Sequence, residues 1–184
     1  MKETTIQLDI YRYRPDWDAP GYQTYEVPYR DDWVVLDALN YVKDQIDGSL
    51  SYRWSCRMGV CGSCGMQVKG EHTLTRATFL TDLYPGPVKV EPLNNFPVER
   101  DLVVDLTSFL EKLDHVRPSI VRKEHDENAL TSDSSPPPAE LDRYPPFTMF
   151  IHCLLCYAAF PLVRRVPDFL RPAALSPPSV PEPF

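Results

Sequence analysis

The 184-residue sequence lacks any stretch of eighteen apolar residues, which is about the length that a helix needs to cross a bilayer. Positive charge is also scarce, because 19 Lys and Arg residues stand against 26 Asp and Glu, giving a net charge of −7. Such a chain is not expected to span a membrane, and its acidity makes nonspecific attraction to nucleic-acid phosphates unfavourable. We therefore expect protein partners and no nucleic acid.

The N-terminus has none of the charged, apolar and small-residue regions of a secretory signal, so the sequence predicts a cytoplasmic protein. The cytoplasm keeps thiols reduced, and the five cysteines are an odd number that cannot all pair. Structural disulfides are therefore disfavoured, and metal or redox chemistry becomes the leading hypothesis for these cysteines.

Glycine is missing after Gly86, whereas thirteen of the twenty prolines lie from Pro118 onward. This contrast divides the chain. Residues 1–117 combine alternating apolar residues, typical of strands, with apolar residues three or four apart, typical of helices, and predict one α+β unit. Residues 118–146 are rich in Pro, Ser and Asp and predict a linker. The proline-rich residues 176–184 predict a disordered tail.

The same periodicity predicts the individual elements of residues 1–117. Asp31 or Asp32 is expected to cap the first helix, which begins at Val35, and Gly48 is expected to end it. The expected elements are strands at 6–10 and 22–27, a helix at 35–46, strands at 65–69, 73–79 and 88–91, and a helix at about 102–113.

Three cysteines, Cys56, Cys61 and Cys64, have the spacing C-x4-C-x2-C, which is the spacing of plant-type 2Fe-2S ligands. The glycines interspersed with them permit the close backbone approach that a loop around a cluster requires. The alternatives are a chance grouping of loop cysteines and a small zinc site. A complete site needs a fourth ligand, and no further cysteine occurs before Cys153.

Five longer stretches of the chain form a recognisable set: IYRYRPD, LDALNYVKD, LSYRWSCRMGVCGSCGM, VEPLNNFPVERDLVVD, and PAELDRY followed by CLLCYAA. Together they resemble the iron-sulfur subunit of fumarate reductase and succinate dehydrogenase complexes, particularly the fumarate reductase branch. The resemblance implies a β-grasp, 2Fe-2S ferredoxin-like domain over residues 1–117, followed by the start of a helical domain that holds 4Fe-4S and 3Fe-4S clusters in the family.

By this resemblance the chain relays electrons between a flavoprotein, where succinate and fumarate interconvert, and a quinone site in a membrane anchor. The resemblance also implies a peripheral location on the inner face of the cell membrane, through partner subunits. No catalytic residue is expected, because substrate chemistry belongs to the flavoprotein chain.

The sequence departs from the family at the fourth ligand of the 2Fe-2S site. The family segment L-A-C-x-T-F-L reads LTRATFL here, so that Arg76 occupies the position of the cysteine. A guanidinium stays protonated and has no lone pair for iron. His72 and Thr75 are the only candidate replacements nearby, and His72 is preferred because imidazole ligates iron in some 2Fe-2S centres. Its alternative role is an exposed turn residue.

A second departure lies in residues 147–175, the predicted degenerate start of the helical domain. The family pattern C-x2-C-x2-C-x3-C-P keeps Cys153, Cys156 and Pro161 but has Phe150 and Phe160 at the outer ligand positions. The 4Fe-4S and 3Fe-4S clusters are therefore not expected. Cys153 and Cys156 either bind zinc together with His152 or a partner's ligand, or are two small buried thiols, which is the commoner outcome for such a pair.

These losses leave two alternatives to electron transfer. One is a cluster-deficient remnant that acts only as a protein-binding module. The other is a structural zinc domain in which His72 completes the three-cysteine set of Cys56, Cys61 and Cys64.

Overall fold

The computed structural model describes residues 4–116 and 150–161. Residues 4–106 and 152–161 belong to one compact unit, and residues 107–116 and 150–151 belong to a second. The predicted linker at 118–146 and the predicted tail at 176–184 lie outside the described residues, as does most of the predicted segment 147–175.

The first unit is built on a mixed five-stranded sheet with strand order β2-β1-β5-β3-β4. Strand β1 runs parallel to β5 and antiparallel to β2, and β3 runs antiparallel to both β4 and β5. The strands are β1 Thr5–Arg12, β2 Gly21–Pro28, β3 Gly65–Val68, β4 Glu71–Leu74 and β5 Val88–Glu91.

Strand β1 follows directly from the alternation in its sequence. Ile6, Leu8 and Ile10 are fully buried, whereas their neighbours along the strand are exposed or partly exposed. Side chains alternate between the two faces of a strand, so this pattern gives the sheet one buried face. The predicted strand at 6–10 is confirmed, and the predicted strand at 73–79 is wrong in extent because the chain turns at Thr75–Ala77.

Helix α1 covers the buried face of the sheet and shares its core. It spans Val35–Tyr41 and continues as a π-helical turn over Val42–Ile46. Its N-cap is Val34, whose N–H donates to the Asp37 carboxylate at 3.2 Å, so the expected cap at Asp31 or Asp32 is wrong. The apolar side chains that face the core are those of Val35, Leu39 and Val42.

A small two-stranded sheet pairs β6, Val98–Arg100, with β7, Val103–Val104. The helix expected at about 102–113 is wrong at its beginning. Helix α2 spans Thr107–Val116 and lies in the second unit. Helix α3, Leu155–Ala159, lies in the first unit. Neither α2 nor any other helix within residues 4–116 and 150–161 has the length and apolarity to cross a membrane.

A buried ionic group joins the end of β1 to the segment that leads into the cysteine loop. The Arg12 side chain donates to Asp101, Asp47 and Ser49 at 2.9, 2.6 and 2.8 Å. Asp101 also accepts the N–H groups of Tyr13 and Ser51. The start of the cysteine loop is thereby fixed against the sheet.

Candidate metal centre

The three motif cysteines lie in an irregular loop that runs from the end of the π-helical turn to β3. The loop reverses direction at Arg57, Gly59 and Gly62, which have φ angles of 56°, 72° and 74°. Positive φ is readily reached by glycine, whereas a side chain such as that of Arg57 is strained there. The motif glycines thus make this tight path possible.

The loop brings Cys56 and Cys61 together and aims N–H groups at their sulfur atoms. The Cys56 N–H donates to Cys61 Sγ at 3.5 Å, and the Met58 N–H donates to Cys56 Sγ at 3.4 Å. Hydrogen bonds from Ser63 and from the Cys56 backbone lower the pKa of the Cys61 thiol to about 6. Such donors stabilise a thiolate, which is the form of cysteine that binds metal.

Cys64 is held separately, at the beginning of β3. It is buried, and its carbonyl oxygen accepts both the N–H and the hydroxyl of Thr75 at 3.0 Å. Across residues 4–116 and 150–161, no group of three or more His, Cys, Asp or Glu side chains is arranged to hold a metal ion. The fold therefore pairs Cys56 with Cys61 but does not gather Cys64 into the same group.

Arg76, at the fourth-ligand position, is fastened to the loop through its guanidinium. Its Nε donates to the Arg57 carbonyl oxygen at 2.7 Å, and its Nη1 lies 3.2 Å from Asp37 Oδ2. The side chains of Arg76 and Asp37 are about one-third exposed, at 36% and 33%. Residue 76, which the sequence predicts to be the position of the missing fourth ligand, is therefore a cation with an oxygen partner on each side.

His72, the candidate replacement ligand, lies on β4 opposite Gln67 of β3. Its Nε2 atom is buried and has no hydrogen-bond partner among the residues that the structure describes, and burial lowers the pKa of the ring. It belongs to no metal-holding group with the loop cysteines in the described ranges.

The segment with Cys153 and Cys156 packs on the same unit as the cysteine loop. The Cys153 carbonyl oxygen is 2.9 Å from the position that a Cβ on Gly65 would take. Asn95 Nδ2 donates to the carbonyl oxygens of Tyr157, Ala158 and Phe160 at 3.4, 2.7 and 3.3 Å. Cys153 and Cys61 both line a cavity of about 160 Å³.

Several contacts that shape this region were not predicted from the sequence. Thr75 donates to the Cys64 carbonyl oxygen, Arg76 donates to the Asp37 carboxylate, and Asn95 donates to a carbonyl oxygen at the C-terminal end of α3. Asn95 has a φ angle of 68°, a conformation that asparagine adopts more readily than most residues. The pair Asn94–Asn95 after β5 is a turn signal that could have identified this position.

A mixed sheet that grasps one helix, with a glycine-rich cysteine loop before β3, defines a β-grasp protein of the ferredoxin-like class. Residues 7–111 match the family model of a 2Fe-2S iron-sulfur cluster binding domain. The fumarate reductase iron-sulfur subunit of Mycobacterium tuberculosis is 53% identical over 173 residues, which cover 93% of this chain and 69% of that protein. The corresponding Haemophilus influenzae subunit is 46% identical, with coverage of 93% and 70%.

Among solved structures, the apo form of the Mycobacterium smegmatis Sdh1 complex contains a similar chain, with a TM-score of 0.77 and 26% identity. The similarity covers 90% of this chain and 67% of that one.

The chain belongs to the family of iron-sulfur subunits of fumarate reductase and succinate dehydrogenase. The predicted resemblance, fold class and electron-transfer class of function are confirmed. The individual ligands and the domain boundaries stay predictions.

Proposed function

We propose that this chain is the electron-transfer subunit of a fumarate reductase or succinate dehydrogenase complex, and that Cys56, Cys61 and Cys64 hold a 2Fe-2S cluster. The observation that carries the proposal is the pair of N–H groups aimed at Cys56 Sγ and Cys61 Sγ. Backbone N–H donors around thiolates are a feature of iron-sulfur sites and tune their potentials.

The chemistry of the side chains supplies three ligands of such a site, although the structure brings only Cys56 and Cys61 together. Three thiol side chains supply the soft ligands that iron prefers, and Cys64 would have to join the close pair of Cys56 and Cys61 when iron binds. Arg76 cannot act as a ligand, because its guanidinium has no free lone pair. The proposal therefore includes a cluster whose fourth ligand does not come from residue 76.

The cluster, when bound, supplies a carrier that accepts and gives up one electron at a time. The chain's own residues hold and surround it. Thr75 fixes Cys64 at the start of β3, and the Arg57 guanidinium stacks on the Trp54 ring with 4.5 Å between the guanidinium carbon and the ring centroid. Arg57 and Arg53 add positive charge beside an anionic cluster, which favours the reduced form.

A flavoprotein subunit is the proposed partner at this loop. Met58 and Val60, at the tip of the loop, are 73% and 57% exposed. Exposed apolar side chains at such a site are typical of protein contacts. By the same family relationship we propose a membrane-anchor subunit and a peripheral location on the inner face of the cell membrane. The 4Fe-4S and 3Fe-4S clusters are not part of the proposal, because Cys153 and Cys156 supply too few ligands.

One alternative function is favoured by a specific observation. Arg76, at the position predicted for the fourth ligand, has two oxygen partners, and this supports a cluster-deficient module that binds the flavoprotein without carrying electrons. A zinc domain formed by the same cysteines and His72 is the other alternative. His72 lies on a strand and is not grouped with the cysteines in the part of the chain that the structure describes.

The test is anaerobic purification of this chain alone and together with its flavoprotein. We expect a brown chain whose visible absorbance is lost on addition of succinate only when the flavoprotein is present. Cys61→Ser should abolish the colour and keep flavoprotein binding, whereas Cys156→Ser should retain both.

Three results would overturn the proposal. A colourless, metal-free chain that still binds the flavoprotein would establish the binding module. A colourless chain containing zinc would establish the zinc domain. A brown chain that the flavoprotein neither binds nor reduces would place the chain outside this electron relay.

A further inference from the structure

We propose that Arg76 is a positioning residue that fastens the cysteine loop to helix α1 and keeps the loop ordered without iron. Its guanidinium spans two parts of the chain, donating to the Arg57 carbonyl oxygen at 2.7 Å and pairing with Asp37 Oδ2 at 3.2 Å. Both contacts are charge-assisted, and such hydrogen bonds are stronger than those between neutral groups. This inference rests on these two contacts and does not depend on electron transfer.

The backbone on either side of Arg76 is held in place by hydrogen bonds to helix α1. The Leu36 N–H donates to the Thr75 carbonyl oxygen at 3.1 Å, and the Val35 N–H donates to the Thr78 carbonyl oxygen at 2.9 Å. Thr75 is itself tied to Cys64 through its N–H and hydroxyl. Residue 76 therefore projects from a turn that is bound to α1 on one side and to the cysteine motif on the other.

The Asp37 carboxylate, which receives Arg76, is itself held by α1. Its Oδ2 accepts the Val34 N–H at 3.2 Å within the first turn of the helix. The guanidinium is consequently attached to a rigid element through a carboxylate that has a second partner. Through these two contacts the Arg76 side chain holds the cysteine loop against α1.

The contact with Arg57 reaches the part of the loop that most needs support. Arg57 has a φ angle of 56°, a left-handed conformation that is costly for a residue with a side chain. The two N–H to sulfur contacts at this turn lie within the loop itself, between residues 56 and 61. The Arg76 bond instead joins the turn to a distant part of the chain, which is the task a fourth ligand performs through the metal.

Hydrogen exchange of the full chain, prepared iron-free with a chelator, tests the proposal directly. Arg76→Met should speed exchange of the amides at residues 57–62 by about two- to tenfold, the effect of losing one net hydrogen bond on a local opening. Exchange in β1 and β5 should stay unchanged. Arg76→Lys should restore part of the protection, and the exposed Arg100→Met is the matched control that should alter none of it.

A second variant separates positioning from general stability. Arg76→Cys removes the guanidinium and offers a thiol in its place, so its loop should exchange rapidly without iron and slowly after reconstitution with ferrous iron and sulfide. Visible absorbance and iron content of the same samples report whether the cluster has formed. In the unmodified chain, iron removal should change the loop's exchange by less than in Arg76→Cys.

Two results would overturn the proposal. One is unchanged loop exchange in iron-free Arg76→Met and Arg76→Cys, because the guanidinium would then hold nothing. The other is faster exchange spread equally over β1, β5 and the loop, because Arg76 would then stabilise the whole fold. Neither result bears on whether the cysteines bind iron, so failure of this inference is distinct from failure of the proposed function.

Discussion

Arg12 Nε donates to Asp101 Oδ1 at 2.9 Å in a pair whose side chains are 3% and 0% exposed. The carboxylate also accepts the N–H groups of Tyr13 and Ser51, so it satisfies three donors from different parts of the first unit. Removal of one partner from a buried pair leaves an uncompensated charge, which is costly. The network therefore links β1, the turn after β6 and the beginning of the cysteine loop by hydrogen bonds.

Asp101→Asn should lower the free energy of unfolding by about 1–3 kcal/mol, because the buried Arg12 then keeps only Asp47 as a charged partner, at 2.6 Å. Asparagine also tolerates the positive φ angle of 47° at this position, so the change tests charge more than backbone strain. Urea unfolding measures the difference. Asp82→Asn, at an exposed site, is the control and should change stability by less than about 0.5 kcal/mol. A loss below about 1 kcal/mol in Asp101→Asn would contradict this account of the network.

The stability of the fold should fall in acid through Asp47. Hydrogen bonds from Ser49, Arg12 and Tyr25 hold the pKa of this carboxyl well below its ordinary value of 3.8. A folded-state pKa below the unfolded one contributes stability that is present above the unfolded pKa and lost as pH falls towards the folded pKa. Between pH 5 and about pH 2 the unfolding free energy should therefore decrease more steeply in the unmodified chain than in Asp47→Asn. Equal slopes in urea titrations would show that the depressed pKa contributes nothing.

Gly65→Ala should loosen the segment that carries Cys153. The added Cβ would lie 2.9 Å from the Cys153 carbonyl oxygen and 3.2 Å from Leu155 Cδ2, so backbone must move. Overpacking of this kind costs about 1–3 kcal/mol. Gly21→Ala is the matched control, because a Cβ there meets nothing within 4 Å. Thermal unfolding and limited proteolysis near residues 150–161 report the outcome, and equal behaviour of the two variants would refute the close contact.

Asn95→Asp should detach helix α3 from the turn after β5. The amide nitrogen donates to three carbonyl oxygens at the end of the helix, and a carboxylate of the same shape would repel them. We expect a loss of about 1–3 kcal/mol at neutral pH, the cost of an unsatisfied and repelled polar group. Asn94→Asp, at the exposed neighbouring position, should be nearly neutral. Similar stability of the two variants in urea would argue against the Asn95 contacts.

The fold could largely be predicted from the sequence where burial is periodic. Ile6, Leu8 and Ile10 alternate along β1, and Leu36, Leu39 and Val42 recur at helical spacing, so each pattern has one interpretation. The prediction failed where tertiary contacts decide the backbone. Leu102 belongs to the face of an expected helix, yet the neighbouring Asp101 is drawn into the Arg12 network and the chain forms β6 and β7 instead.

The site could be predicted in composition but not in arrangement. Cysteine spacing and glycine content identify the loop, because both are local properties of the motif. The partners of Arg76 and of Cys64 depend on which residues the turn after β4 touches, and Asp37 is 39 residues away along the chain from Arg76. Periodicity carries no information about such contacts. The sequence therefore predicts a missing ligand at residue 76, but it could not predict the contacts that Arg76 makes.

Iron and acid-labile sulfide per chain, measured on anaerobically purified protein, test the central claim most directly. The account predicts about two of each, a value that falls to near zero in Cys61→Ser and is retained in Cys156→Ser. A folded chain that contains no iron after reconstitution with iron and sulfide, or that contains zinc in its place, would contradict it.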